Sequence, residues 1–354
     1  MPANAPLIEW NDPAASGRGC DRRFPVGMLL IAAILALLGL IVVSRSCAHF
    51  HLAFDLLANV SYFLGIPLLG IAAVAVITRQ WLALAGALVA VFVSVMPLLS
   101  ATAPRSAGAA DDPTASVLHC NIRGSVDAWD GLRTIMDACR PDLVSVVEIS
   151  DPVIDRILAD DRLLQDYPHR VLPRRGLEWS TVILSRHPMR PLPAPEIKPQ
   201  TRMQSLFSSH RSNVVTLPIG EIIFSTEHIP SPRNSASWTM GNEQIVALGH
   251  VVRDHYRSFD LPILVTGDFN SSPAGYRDGL MRSATGLLPD PESFPPRGTW
   301  PSSFPPFLRL PLDRAWASDH VSFTAGEVLP NIGSDHRPLF LRFFLDNSAE
   351  SPGS

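Results

Sequence analysis

Ile263-Leu264-Val265-Thr266-Gly267-Asp268-Phe269-Asn270 is the stretch on which the fold of this 354-residue chain turns. Apolar and β-branched residues in an unbroken run read as a buried strand, and a carboxylate and an amide stand where it ends. The same arrangement recurs outward from this point. Asn121 ends a strand read at 116–120, Glu148 ends one at 143–147, and His228 follows one at 222–225. Asp313 opens a strand read at 315–323 after a Pro-rich loop, and Asp335 and His336 precede the last strand, 339–344. Further strand material lies at 181–184 and 214–217. Trp129, Leu132, Ile135, Met136 and Cys139 recur at helical spacing, and 235–255 reads as a second amphipathic helix. The strands are too many for one simple parallel sheet, so an α/β architecture of two packed sheets with helices outside is expected.

Any one of these polar residues is an ordinary turn former. Their repetition at strand ends points to a shared site. Carboxylates with an amide suit a hard cation such as magnesium, which prefers oxygen ligands and keeps waters for exchange. Two histidines add groups that move or donate a proton near neutral pH. Metal-assisted attack of water on a phosphate ester uses both. The chain contains no GxGxxG, no Walker P-loop and no HExxH, so dinucleotide, P-loop and zinc-protease readings have no anchor.

With Asn121-Ile122-Arg123, Glu148, Ser185-Arg186-His187-Pro188, His228, Gly267-Asp268-Phe269-Asn270, Asp313 and Ser334-Asp335-His336-Arg337-Pro338 in this order, residues 114–346 resemble the endonuclease/exonuclease/phosphatase superfamily. The resemblance implies a four-layered α/β sandwich, two mixed sheets flanked by helices, with the active site at one edge. It implies Mg2+ (or Mn2+) held chiefly by Glu148, with Asn121 beside it and Asp335 close to the metal. Asp268 would orient or deprotonate the attacking water, and Asn270 would hold the phosphate. His336 would pair with Asp313 in an orienter-and-imidazole dyad, and His228 would donate to a non-bridging oxygen. Arg186 and Arg233 are weaker candidates for phosphate contact. The chain departs from the family pattern at Val147, where Gln is frequent, at Thr226-Glu227-His228, where a Thr-His pair is usual, and at Arg314, where His is frequent. Glu178 stands near where some nucleases carry a carboxylate, at a loose spacing that favours a surface role.

Ahead of this domain stand three uncharged windows, 24–43, 56–78 and 81–104, each long enough to cross a bilayer as a helix. The expected organisation is a cytoplasmic tail 1–23, three transmembrane helices within 24–104, a linker 105–115, a catalytic domain 116–346 and a disordered tail 347–354. Arg18, Arg22, Arg23 and Arg79 fall on one side of the spans, and Arg45 and Arg105 on the other. By the positive-inside rule the N-terminus is then cytoplasmic and the catalytic domain extracytoplasmic. Asp55, at the mouth of the second span beside His49 and His51, reads as a boundary charge.

Composition narrows the function further. The first 104 residues carry five Arg against four acidic residues, leaving 24 basic against 29 acidic residues in the rest, a net −5. A strongly basic nucleic-acid domain is excluded. The four cysteines, 20, 47, 120 and 139, lack both CxxC pairing and the density of a disulfide scaffold. A linker of this length keeps the domain within roughly 20 Å of the bilayer, where it meets lipid head groups. Three spans before such a domain resemble a bacterial subgroup of glycopeptide-resistance-type lipid phosphohydrolases. That likeness implies a phosphorylated or pyrophosphorylated isoprenoid lipid as substrate, with the bilayer itself as partner; no protein partner is inferable. The alternatives are an extracytoplasmic Mg2+-dependent DNA endonuclease, favoured by Asn121-Ile122-Arg123, and a non-catalytic membrane scaffold or sensor.

Overall fold

The computed structural model describes residues 26–100, 113–173, 175–176, 180–192, 211–291 and 297–346. The expected tails 1–23 and 347–354, most of the linker 105–115, and Glu178 lie outside these residues.

The chain begins with α1 (Val26–Cys47), α2 (Leu52–Val60), which runs through a short 3-10 turn into α3 (Gly65–Ile77), and α4 (Trp81–Ser100). They make three helices long and apolar enough to cross a membrane: Val26–Cys47, Leu52–Ile77 and Trp81–Leu99. Ala72, Ala75, Ala83, Ala87 and Ala90 are buried where these helices meet, the small residues that let helix backbones approach closely in lipid. Pro97 lies inside α4 and has no N–H to offer Val93, one turn earlier. The Arg45 guanidinium donates to that carbonyl at 2.7 Å, to the Ser94 carbonyl at 2.5 Å and to Ser61 Oγ at 2.8 Å. Arg45 is therefore not a loop charge but a strut in the last turn of α1. The second apolar helix also starts earlier than the uncharged window 56–78, taking in Asp55.

The sandwich follows as β1 (Ala115–Asn121), α5 (Val126–Cys139), β2 (Leu143–Ile149), α6 (Asp151–Ala159), α7 (Asp161–Asp166), β3 (His169–Val171), β4 (Ser180–Ser185), β5 (Met189–Pro191), β6 (Arg211–Leu217), β7 (Gly220–His228), α8 (Ser235–His250), β8 (Ile263–Asp268), α9 (Tyr276–Thr285), β9 (Leu288–Pro289), β10 (Asp313–Ala317), β11 (Val321–Val328) and β12 (Leu339–Leu345). One sheet has the order β11-β12-β1-β2-β4-β3 and the other β5-β6-β7-β8-β10-β9. Val117, Leu143 and Ile183 of the first meet Val215, Phe224 and Leu264 of the second between the sheets. The opposite face of the first sheet is covered by Leu132 and Met136 of α5 and Ile157 of α6, and that of the second by Leu248 of α8 and Met281 of α9. This is the four-layered α/β sandwich expected, preceded by three long apolar helices.

The run 315–323 is two strands and not one. The Val321 amide donates to the Ser318 carbonyl at 3.0 Å, closing a turn over the exposed Asp319 and His320, and the chain crosses from one sheet to the other.

Strand direction decides where the polar residues go. At the centre of each sheet two strands run parallel, β1 beside β2 and β7 beside β8, so Asn121 and Glu148, and likewise His228 and Asp268, emerge at the same edge. β10 runs antiparallel to β8 and pairs Asp313 with Asp268, so a strand start lands on a strand end. β12 runs antiparallel to β1, which brings the loop 334–338 to that edge as well.

Candidate active site

Side chains alternate across a strand, so the inward face of β1 reads Ala115, Val117, His119, Asn121, changing from apolar to polar toward the edge. The inward faces of β7 and β8 change in the same way, from Phe224 to Thr226 and His228 and from Leu264 to Thr266 and Asp268. Gly267 is needed for this: a Cβ there would stand 2.2 Å from the Glu227 carbonyl, so only glycine lets β8 lie this close to β7.

Glu148 sits at a register shift between β2 and β4 with φ +56°. This bulge re-aims a side chain that ordinary pleating would send elsewhere. Arg123 and Asn270, also at the cleft, hold φ +51° and +50°. Asn121 Nδ2 donates to Glu148 Oε1 at 2.8 Å and to Asp268 Oδ2 at 3.0 Å, and His228 Nε2 lies 3.2 Å from Glu148 Oε1. Burial opposes ionisation of Glu148, but the donors His228 and Asn121 outweigh it and hold the carboxyl below its usual value. The Asn270 amide donates to Asp268 Oδ1 at 2.8 Å, while its side chain donates to the Ile229 carbonyl at 2.9 Å.

Behind these groups lies a buried layer that reaches the cleft only at His336. Asp313 Oδ2 accepts from His336 Nδ1 at 2.7 Å, and Asp313 Oδ1 accepts from His119 Nε2 at 3.2 Å. His119 Nδ1 lies 2.9 Å from Ser145 Oγ, which accepts from Thr226 Oγ1 at 3.0 Å. This layer stitches the two sheets together. Burial opposes the charge on Asp313, yet two imidazoles hold its carboxyl far below the usual range. Burial also works against a protonated His336, but Asp313 and then Asp268 raise it to about 10. Asp268, with no exposure, is pushed up, chiefly by burial. Two buried aspartates thus have their basicities driven apart, the arrangement that separates an orienter from a base.

Glu148, His228 and Asp268 offer ligand atoms within 4.8 Å of one another, and Asp268, Asp313 and His336 form a second such group. Asp313 already serves two imidazoles. Glu148, only half-buried, lines the cleft together with Asp268. Two carboxylates at the head of an open cleft are the donor set of a hard divalent cation, so the first group fits a metal.

The cleft has a volume of about 490 Å³, and its lining includes Arg123, Arg233, Asp335 and His336 besides Glu148, Asp268 and Asn270. Asp335 pairs with Arg123 at 3.6 Å on the cleft rim, outside both tight donor groups. The Arg123 amide donates to the Asn121 oxygen at 2.9 Å, so the Asn121 NH2 group faces the two carboxylates. Its position is that of a carboxylate holder. Arg186 is not in the cleft at all. β4 is antiparallel to β2 and pairs Ser185 with Leu143, at the end of β2 remote from Glu148, and the Arg186 side chain donates to the Arg140 carbonyl there.

Sequence reading missed His119 and Arg277. His119 is two residues before Asn121 on the same inward face, a position that strand alternation alone makes noticeable. Arg277 is buried in α9, donates to the Pro230 and Phe269 carbonyls at 2.8 and 3.4 Å, and so fastens the loops after β7 and β8. Arg314, the departure beside Asp313, points to the outer face and donates to Asp278 Oδ1 at 2.7 Å, tying α9 to β10.

Residues 118–336, more than half of the chain, match the Endonuclease/Exonuclease/phosphatase family. The chain belongs to this family. Among solved structures it is similar to an endonuclease/exonuclease/phosphatase from Beutenbergia cavernae (17% identity, 66% of this chain and 72% of that one, TM-score 0.46). It is similar also to D. rerio TDP2 complexed with single strand DNA product (16%, 66% and 99%, 0.48) and to the human Nocturnin catalytic domain with bound sulfate (16%, 66% and 96%, 0.45). No curated protein matches the sequence. The family consists of metal-dependent phosphodiesterases and phosphatases, and the acidic and histidine cluster that such chemistry needs is present here. The protein is a metal-dependent phosphoester hydrolase.

Proposed function

We propose that this hydrolase acts on a phosphorylated or pyrophosphorylated lipid, isoprenoid in type, at the outer surface of a membrane that its three apolar helices span. One observation carries the reading: the cleft that holds Glu148, Asp268 and His336 is bounded on one side by Leu56, Asn59 and Val60, at the head of the second apolar helix. A soluble polyanion gains nothing from such a wall, whereas a lipid phosphate arrives along it.

Glu148 would hold Mg2+ or Mn2+ with Asp268 beside it, its carboxylate positioned by Asn121 and His228. When bound, the cation supplies charge neutralisation at the phosphoryl group. Asp268, the more basic of the two buried aspartates, takes a proton from the attacking water. His336, held by Asp313, donates to a phosphoryl oxygen as negative charge develops, and His228 with the Asn270 side chain borders the same oxygens. Arg123, Arg233 and Asp335 stand at the cleft wall, where the two arginines offer phosphate contacts.

The test is turnover by the full-length protein in bilayers with Mg2+ or Mn2+, against prenyl diphosphates, sphingomyelin and double-stranded DNA. Prenyl diphosphate hydrolysis with DNA left intact is the expected result; efficient DNA cleavage with lipids untouched overturns it in favour of a nuclease. For orientation, a reporter active only outside the cytoplasm is expected to work after Pro113 and to fail at Arg22.

A further inference from the structure

The short helix α2 is locked to the catalytic domain by side chains on one stripe. Asp55, 1% exposed, accepts from Trp238 Nε1 at 2.8 Å through Oδ2 and from the Tyr276 amide at 2.8 Å through Oδ1. One turn on, Asn59 Oδ1 accepts from the Ser272 amide at 2.6 Å and from Ser271 Oγ at 3.2 Å, while Ser272 Oγ donates to the Asn59 carbonyl at 2.8 Å. Ser271 and Ser272 directly follow Asn270, so the helix is fixed to the catalytic loop itself. Residues four apart share a helix face; Leu56 and Val60 form the stripe next to Asp55 and Asn59, and both line the cleft. They remain 45% and 36% exposed although apolar. Trp300, Leu310 and Leu312 of the catalytic domain line the same cleft and add to its apolar surface. Leu310 and Leu312 also pack in one buried cluster with Tyr62 and Leu98 of the apolar helices, so this lining is continuous with the membrane-facing bundle.

We propose that Leu56 and Val60 of α2, with Trp300, Leu310 and Leu312 of the catalytic domain, form a hydrocarbon subsite that seats the first carbons of the substrate's chain beside its phosphate. The subsite makes the membrane helix a specificity determinant of the active site as well as an anchor. This rests on the lipid reading above and adds to it the residues that read the chain. The docking through Asp55 and Asn59 sets how far the chain sits from Asp268 and Glu148.

The experiment compares kcat/KM of the full-length protein in nanodiscs for a polyprenyl diphosphate and for isopentenyl diphosphate, which share a head group and differ in chain. In wild type the long chain is expected to be preferred. In Leu56→Ser, and separately in Leu310→Ser from the catalytic domain, that preference is expected to fall by on the order of tenfold, with the KM for the long substrate rising more than its kcat falls. Variants that keep the wild-type ratio overturn the subsite, and so does an equal loss on both substrates, which marks a structural effect. If the wild type itself hydrolyses no lipid phosphate, the lipid reading falls first and the subsite with it.

Discussion

The floor of the cleft and its wall are built on different principles. The floor is made of strand ends whose positions follow from backbone pairing: Asn121, Glu148, His228, Asp268 and Asp313 are held in register by the ladders of two sheets, and His119 behind them is shut away from water. The wall includes one short helix, attached through the side chains of Asp55 and Asn59 and through the buried cluster that Tyr62 forms with Leu310 and Leu312. The strand-end groups therefore rest on a rigid element, while the helix that borders the cleft rests on a few side-chain hydrogen bonds and one small buried cluster.

Breaking the floor is expected to have the largest effect. Asp268→Ala or His336→Ala removes a group proposed to handle a proton in the reaction, and turnover is expected to drop by on the order of a hundredfold or more. Steady-state kinetics on the best substrate checks this, and near-wild-type activity would remove the assigned role. Glu148→Gln leaves the shape of the donor set but removes its charge. The divalent-metal concentration for half-maximal activity is expected to rise at least about tenfold, measured by titrating Mg2+ and Mn2+.

His119 sharpens the comparison, because it belongs to the floor without touching the cleft. His119→Ala leaves Asp313 Oδ1 with one buried partner fewer. Turnover is expected to fall about tenfold, the order of a lost hydrogen bond to a buried charge, while KM holds. His119→Gln, whose amide reaches the same carboxylate, is expected to restore much of it; a glutamine variant as impaired as the alanine one would mark a packing role only.

On the wall, Asp55→Ala strands Trp238 Nε1 and the Tyr276 amide without their acceptor. Turnover of a small soluble phosphoester is expected to change only several-fold, while hydrogen exchange at 271–277 speeds up. A loss as deep as that of the floor variants would show that the wall is part of the chemistry.

The smallest effect concerns stability against pH in metal-free protein. His336 is raised in the folded state from its ordinary 6.5 to about 10, so the folded chain binds the extra proton between those values. Its contribution is complete below about 6.5 and is lost as pH rises toward 10. Asp313 is depressed, so its contribution is present above its ordinary range and is lost only as acid reaches its folded value. The unfolding temperature of metal-free wild type is expected to decline from neutral to pH 10 more steeply than that of His336→Ala; parallel declines would show that His336 is not held as a cation.

Much of this was legible in the chain. Apolar runs bounded by polar residues mark strands whatever surrounds them, because burial on both faces demands continuous hydrophobicity; hence β2 and β8 are legible to within two residues, whereas β7, legible only at 222–225, runs from Gly220 to His228 and carries the histidine itself. The three membrane-length windows were equally plain, since hydrocarbon thickness sets the length that an uncharged helix needs. The polar residues at strand ends were legible as a set. Pairing direction was not: whether Arg186 joins Glu148 or lies at the far end of the sheet depends on β4 running antiparallel to β2, which no local pattern states. The turn after Ala317 is hidden for the same reason, as the apolar residues on its two sides serve different sheets. His119, one inward residue among several, gains meaning only when β10 brings Asp313 against it from 194 positions away. Asp55 looked like a boundary charge because its partners, Trp238 and Tyr276, lie on helices of the other domain. Sequence alone determined which residues are apolar, where strands end and which chemistry-bearing side chains stand there, because periodicity and burial act locally. Only the tertiary structure decided which of those ends meet, what holds them and what walls them in, because register and docking are made between segments far apart in the chain.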